Sequence, residues 1–329
     1  MANTNIFYIF PGQGSQYRGM GSDLVEEFDS AREIFRRASE VVGYDMTELC
    51  FEDSRDELDK TRFTQPALLT HEVACSEALR SLVGPDVKPA LTAGHSLGEY
   101  AALVCSGALK FEDALKLVAE RGRLMGELGT GSMLATTLDI EAATALADKH
   151  YCAIGGCNLP EQTVIAGHGK DLDALVEDLS TTHPGKRAVR LNTEGAFHTY
   201  LMVQAAQEFR EILDATEFTG LKVDVLSNYT GKLHVDDAAA IRSRLFFQLF
   251  NPVLWVDCMH SAIQAGADTM VELGGGIGKG DGPQNKRPNL GSIVLRTLKS
   301  RAHEAQYLPA INVAGIRAAA RYIQEQDNP

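Results

Sequence analysis

The segment Gly94-His95-Ser96-Leu97-Gly98 sets a serine between two glycines. An apolar run that reads as a buried strand precedes it, and a helical pattern follows. A nucleophile elbow requires that context, because its strained strand-to-helix turn pushes the serine hydroxyl outward. The glycines let strand and helix approach closely, and the helix N-terminus adds positive potential near any anion that forms there. The five residues alone would also fit an ordinary Gly-Ser turn. A serine nucleophile needs a base. Of nine histidines, His198 is the best placed. It follows the glycine-containing turn 192–197 and directly precedes a helical pattern with apolar Met202, Ala205, Phe209 and Ile212. Position alone would also allow a capping or surface histidine. His95 is adjacent to Ser96, so its side chain points elsewhere and it reads as a packing residue.

Arg121 falls inside the apolar stripe of a helix expected over 112–128, between Ala114, Val118, Met125 and Leu128. Positions three and four apart share one helix face. A guanidinium there keeps its charge and must meet an anion. Three readings stay open: an internal ion pair, a snorkelling side chain, or a bidentate clamp for a substrate carboxylate. Gln13 lies at the tip of the turn Gly12-Gln13-Gly14-Ser15-Gln16, which follows the first strand. Its flanking glycines permit a tight or left-handed turn able to cradle an anion. The turn lacks the GK[ST] of a phosphate-binding loop. Gly274 to Gly280, with Lys279, lacks both the hydroxyl of that motif and GxGxxG spacing, and reads as a flexible turn.

These residues need a scaffold. Ile6 to Phe10 and Ala90 to Ala93 read as buried strands, and Leu97 through Val104 as a helix. Such alternation favours an α/β architecture. From Met133 to Leu191 the pattern is β-α-β-β-α-β: strands at 133–138, 151–154, 163–166 and 188–191, with helices at 140–150 and 171–179. That is the split βαβ of a ferredoxin-like unit. Buried strands are expected again at 223–226, 269–273 and 293–295. The chain therefore reads as a large subdomain, 1–129 and 199–329, interrupted by a small one, 130–198. A cleft between the two would be a natural place for a small-molecule site.

The bulk numbers agree. The 329 residues, 44% hydrophobic and 23% charged, suit a globular chain with a real core. A net charge of −13 speaks against nucleic acid or a membrane surface as general partner. No stretch approaches the roughly 20 apolar residues of a membrane span, and Met1 to Phe10 does not read as a signal peptide. Six scattered cysteines, none in a metal-binding CxxC, read as buried thiols of a cytoplasmic protein. Neither a metal nor a bound cofactor is expected, and a monomer is the default.

Four blocks carry a resemblance that covers nearly the whole chain: Phe10-Pro11-Gly12-Gln13-Gly14-Ser15-Gln16, Thr64-Gln65-Pro66-Ala67, Gly94-His95-Ser96-Leu97-Gly98-Glu99-Tyr100 and Ala196-Phe197-His198. The chain resembles malonyl-CoA:acyl carrier protein transacylases and the related acyltransferases of polyketide synthases. That resemblance implies a hydrolase-like α/β core with parallel sheet and an inserted ferredoxin-like subdomain, in agreement with the pattern above. It implies Ser96 as nucleophile and His198 as base, with the histidine oriented by a backbone carbonyl at Asn251. It implies an oxyanion hole made by the N–H groups of Gln13 and Leu97. Arg121 would hold the free carboxylate of malonate, with Gln65 lining the same pocket and Phe197 leaving little room for an α-methyl branch. Malonyl-CoA would be the donor, and the phosphopantetheine arm of an acyl carrier protein the acceptor.

The chain departs from the family at Gly274 to Gly291, where a short Gly-Pro-Gly turn is usual. This longer loop carries Lys279, Lys286 and Arg287. It reads either as a disordered surface insertion or as a basic loop that touches the carrier or the phosphates of coenzyme A. Other functions compatible with the fold are transfer of a different acyl group between carriers, a proofreading acyl hydrolase, and a docking module without activity. Arg121 argues against the hydrolase, and the intact set Ser96, His198 and Gln13 argues against the docking module.

Overall fold

The computed structural model describes residues 5–327. Among them, nine strands run in chain order: β1 (Ile6–Phe10), β2 (Leu91–Gly94), β3 (Ser132–Thr136), β4 (Ala153–Leu159), β5 (Gln162–Gly167), β6 (Ala188–Leu191), β7 (Asp224–Val225), β8 (Thr269–Leu273) and β9 (Gln306–Ala310). Five form a parallel sheet in the order β7-β2-β1-β8-β9. β1 lies at its centre, and all five residues of Ile-Phe-Tyr-Ile-Phe are buried. A parallel strand covered by helices on both faces is apolar throughout rather than alternating.

The other four strands form an antiparallel sheet in the order β4-β5-β3-β6. Helices Ile140–Lys149 and Gly169–Thr182 connect them in the expected β-α-β-β-α-β sequence. The period of two along a strand divides the side chains of this sheet. Leu134 and Ile165 join Leu146, Leu172 and Leu175 in a separate small core. Met133, Val164 and Ala166 face the other way and belong to the main core. The edge strand β4 is also tied to the large subdomain by backbone bonds, Cys157 N–H to Val253 O at 2.8 Å and Val253 N–H to Gly155 O at 3.1 Å.

Two expectations about the C-terminal part are corrected. Residues 293–295 are not a strand but part of the helix Gly291–Ser300. Their three-residue apolar run fits either state. Burial falls on Val294, Thr297 and Leu298 while Leu295 is 53% exposed, which is helical spacing. The fifth core strand is instead β9, Gln-Tyr-Leu-Pro-Ala. Its proline argues against a central strand but is tolerated at a sheet edge. The loop after β8 is folded, so it is not a disordered insertion. Ile277 and Arg287 pair across it, and Gly276 N–H and Gly282 N–H donate to the carbonyls of Ser15 and Arg18. The Lys286 ammonium donates to the carbonyls of Gly278 and Gly280 and lies 4.9 Å from the centre of the Tyr17 ring. One of the loop's cations is thus engaged internally.

Strand-to-helix contact at the elbow leaves no room for side chains. A Cβ on Gly94 would sit 1.8 Å from the backbone carbon of Gly98, and one on Gly98 would sit 2.4 Å from the carbonyl oxygen of Phe10. All of these are backbone atoms that cannot rotate away. Gly98→Ala should therefore cost about 3 kcal/mol, read as a fall in the urea midpoint of the purified protein. A midpoint equal to wild type would show that the elbow is looser than this packing requires.

Candidate active site

Ser96 sits at the turn between β2 and the helix Gly98–Cys105, with φ of 55°. A left-handed backbone is strained for serine. It is held by Asn228, whose Oδ1 accepts the Ser96 N–H at 2.5 Å and whose Nδ2 donates to Gly94 O at 2.8 Å. The Ser96 Oγ lies 2.7 Å from His198 Nε2. His198 also has a positive φ, 62°. Its Nδ1 meets the carbonyl of Gln248 at 2.7 Å. A carbonyl only accepts, so Nδ1 carries the proton and Nε2 is left to accept from the serine hydroxyl.

This corrects the expected role of Asn251. The helix Ala238–Gln248 ends at Gln248, where carbonyls lack partners within the helix and are free to accept. Asn251 lies past that end, with its Nδ2 turned back to Phe247 O at 2.8 Å. The Asn-Pro pair marks the segment, but the carbonyl that meets His198 comes three residues earlier.

Arg121 is fully buried in the helix Phe111–Leu128. Among the described residues no carboxylate lies within ion-pair distance of it, so neither the internal ion pair nor the snorkelling arrangement occurs. Its acceptors are neutral: Nη1 donates to Gln65 Oε1 at 2.8 Å, and Nη2 to Gln248 Oε1 and to Ser96 Oγ, both at 3.1 Å. Its Nε has no partner among the described residues. The face of Tyr100 lies 5.5 Å away. Burial lowers the guanidinium pKa, with Tyr100 and Glu99 acting in the opposite sense. Gln65, on the helix Thr61–Val83, thus lies beside Arg121, the residue with which the resemblance grouped it.

Gln13 follows β1, in the loop that meets the elbow at Gly12. A Cβ on Gly12 would lie 2.5 Å from His95 O, so only glycine lets the two loops meet. Among the described residues, no acceptor takes the backbone N–H of Gln13 or of Leu97. Phe197 is buried in the main core, its ring edge near Gly195, and it adjoins the pair through His198. His95 packs as expected, beside Trp255, with Nε2 2.8 Å from Asn158 Oδ1 on β4.

Sequence reasoning missed the residues behind this pair. The Gln248 amide donates to Ser96 O at 3.0 Å and to Glu99 Oε2 at 2.8 Å. Glu99, fully buried, also accepts from Asn228 N–H and meets His234 Nε2 at 2.7 Å. One signal was available: Ser227-Asn228 stands just beyond the C-terminal end of a parallel strand, where sites in open α/β sheets gather.

Burial pushes the His198 pKa down to about 3, and the Arg121 charge presses in the same direction. The imidazole is therefore neutral, and able to take a proton, throughout the neutral range.

Fold and site together define an acyl-transferring enzyme. The family described as "Acyl transferase domain" matches residues 7–274, and the chain belongs to it. It is 37% identical over 282 residues to the malonyl CoA-acyl carrier protein transacylase of Bacillus subtilis, covering 83% of this chain and 87% of that protein. Among solved structures it is similar to the malonyl CoA-acyl carrier protein transacylase of Clostridium perfringens, with a TM-score of 0.87, 32% identity and 98% of each chain covered. It is similar also to a malonyl-transacylase in complex with a type II polyketide synthase acyl-carrier protein, with a TM-score of 0.87, 31% identity, and 97% and 100% of the two chains covered.

The depressed His198 pKa sets a pH dependence. With His198 as the base, its protonated form could not accept the serine proton, and rate should fall only as pH drops through that pKa. The acidic limb of kcat/KM, which reports the free enzyme, should lie well below pH 6. Were an anionic acyl group to neutralise Arg121, it would remove one of the depressing causes, so the limb of kcat should lie higher than that of kcat/KM. Transfer rates measured from pH 4 to 8 test both, and a kcat/KM limb near 6.5 would contradict the burial argument.

Proposed function

We propose that this chain transfers a malonyl group from malonyl-CoA to the phosphopantetheine thiol of an acyl carrier protein, in fatty-acid or polyketide biosynthesis, through an ester on Ser96. One observation carries the reading. Arg121 is a buried guanidinium with no carboxylate partner among the described residues, and it lies 3.1 Å from the serine oxygen. A site that transfers unsubstituted acyl groups has no use for such a charge. A carboxylate two bonds from the reacting carbonyl supplies the missing anion.

In the first half-reaction His198 Nε2 takes the Ser96 proton as the oxygen attacks the thioester carbonyl. The N–H groups of Gln13 and Leu97 receive the oxyanion, a pair of donors that together supply a few kcal/mol. The carbon–sulfur bond breaks, and coenzyme A leaves as the thiol with the proton from His198. The malonyl ester remains, with Arg121 turned from Ser96 Oγ to the free carboxylate and Gln65 steadying the guanidinium. In the second half-reaction the carrier's thiol gives its proton to His198 and attacks the ester, and Ser96 recovers the proton as it leaves. Phe197 beside the histidine disfavours an α-branched acyl group, a preference of about 1–3 kcal/mol per methyl. The cytoplasm, where thiols stay reduced, is the compartment this chemistry implies.

Intact-mass measurement after mixing with malonyl-CoA tests the reading. A malonyl adduct is expected on wild type and none on Ser96→Ala. An enzyme loaded by an acyl-carrier donor of another acyl group, but not by malonyl-CoA, would refute malonyl transfer. For Arg121→Ala the expected result is malonyl loading slowed about 30-fold or more, with acetyl loading affected far less. Equal losses for the two acyl groups would remove the carboxylate clamp.

A further inference from the structure

The groups assigned to the reaction come from separate segments: Gln13 after β1, Arg121 on the helix Phe111–Leu128, and His198 after β6. All three segments touch Thr61, the first residue of the helix Thr61–Val83, which is fully buried. The Gln13 side chain donates Nε2–H to Thr61 Oγ1 at 3.0 Å. The Thr61 carbonyl lies where Gly122, next to Arg121, allows contact, since a Cβ there would be 2.6 Å from it. The Thr61 N–H donates to the carboxylate of Glu194 at 2.5 Å, from the segment that carries His198 four residues later.

The Glu194 contact stands out in charge and length. Lys60, at the N-cap of that helix, offers no capping side chain. The first N–H groups of a helix lack partners within it, and a carboxylate is the strongest acceptor they can meet. Here the acceptor comes from 133 residues along the chain. Cap and helix therefore hold two parts of the fold in register, not one helix end alone. The segment is also held by Ala196 N–H to Thr130 O at 2.8 Å and by His198 Nδ1 at Gln248 O, but of these ties only the Glu194 one reaches the helix that also meets Gln13 and the Arg121 helix. Gln248 fixes the imidazole at Nδ1, so the placing of the backbone that carries it decides how Nε2 meets Ser96 Oγ.

Resting on the roles proposed above, we infer that Glu194 and Thr61 are positioning residues: a carboxylate clasp on a helix N-terminus that fixes His198 relative to the Gln13 loop and the Arg121 helix. Glu194 is exposed on its outer side, so its substitution leaves the core untouched.

The test compares wild type, Glu194→Ala and Glu194→Gln, whose amide oxygen can still accept the Thr61 N–H. Three quantities are read: kcat and KM for malonyl transfer, the rate at which diisopropyl fluorophosphate inactivates Ser96, and Tm. Expected for Glu194→Ala is a kcat lowered about tenfold with KM for malonyl-CoA within about twofold. Inactivation should slow in parallel while Tm falls by no more than the few degrees that loss of a helix cap costs, and Glu194→Gln should recover most of both rates. Should the alanine variant fail to fold, Glu194→Lys against Glu194→Gln makes the same comparison, since a lysine cannot accept. Wild-type rates in the alanine variant would overturn the clasp. So would losses that follow Tm and are not recovered by glutamine, or a wild type inert to the fluorophosphate. The fluorophosphate carries no acyl carboxylate. If wild type fails to load malonate while its inactivation still depends on Glu194, the malonyl reading falls and the clasp stands.

Discussion

Taking the Arg121 guanidinium out of water costs several kcal/mol, and the described residues meet that cost without a counter-ion in contact. Three neutral oxygens, from Gln65, Gln248 and Ser96, accept its protons, and the face of Tyr100 adds quadrupole attraction. Neutral acceptors satisfy hydrogen bonds but leave the net charge uncompensated. Much of the surrounding arrangement follows from this. Each acceptor must be fixed by something else, because a mobile amide would expose the charge to an unpaired state. Gln248 is fixed through its other amide atom and its own backbone, at Ser96 O, Glu99 and His198. The residue that orients the histidine is thereby the residue that steadies the cation.

Strain is concentrated at the same place. Ser96 and His198 both have left-handed backbones, each costing of order 1–3 kcal/mol. Neither can relax. Asn228 holds the Ser96 N–H, and Gly94 and Gly98 hold strand against helix with no slack. Gln248 holds the imidazole from the far side. A serine oxygen raised out of the chain and a histidine pointed back at it are two halves of one strained arrangement, and the sheet beneath supplies the rigidity that preserves it.

How much of this was legible in the sequence depends on how local the signal was. The elbow was legible because two glycines and a strand–helix boundary lie within five residues. Arg121 was legible because one charge interrupts an apolar period. The inserted β-α-β-β-α-β unit was legible because its alternation is regular and its helices amphipathic. Long-range hydrogen bonds leave no such trace. The choice of Gln248 over Asn251 turns on where a helix stops, and boundaries shift by a few residues under small changes in capping. Glu194 meeting Thr61, or Asn228 meeting Ser96, joins residues more than a hundred positions apart. Residues 293–295 became helix and 306–310 became strand because burial on one face, set by tertiary packing, decided between states that a short apolar run leaves open.

Glu99 shows why the cation is left unpaired. Its carboxylate is fully buried and reaches the Gln248 amide, whose oxygen in turn reaches Arg121. The acid is one side chain away from a direct ion pair. Direct contact would satisfy the guanidinium within the protein, and an arriving carboxylate would then have to displace a buried anion. Interposing an amide keeps the two charges attracted through Gln248, so the guanidinium stays in place, while its Nε and the donor now resting on Ser96 Oγ remain open to exchange. Glu99 meanwhile has its own donors in Asn228 N–H and His234, so it does not depend on Arg121. On the proposed reading, the acyl carboxylate is the one anion the site lacks, and the serine hydroxyl is the placeholder it displaces.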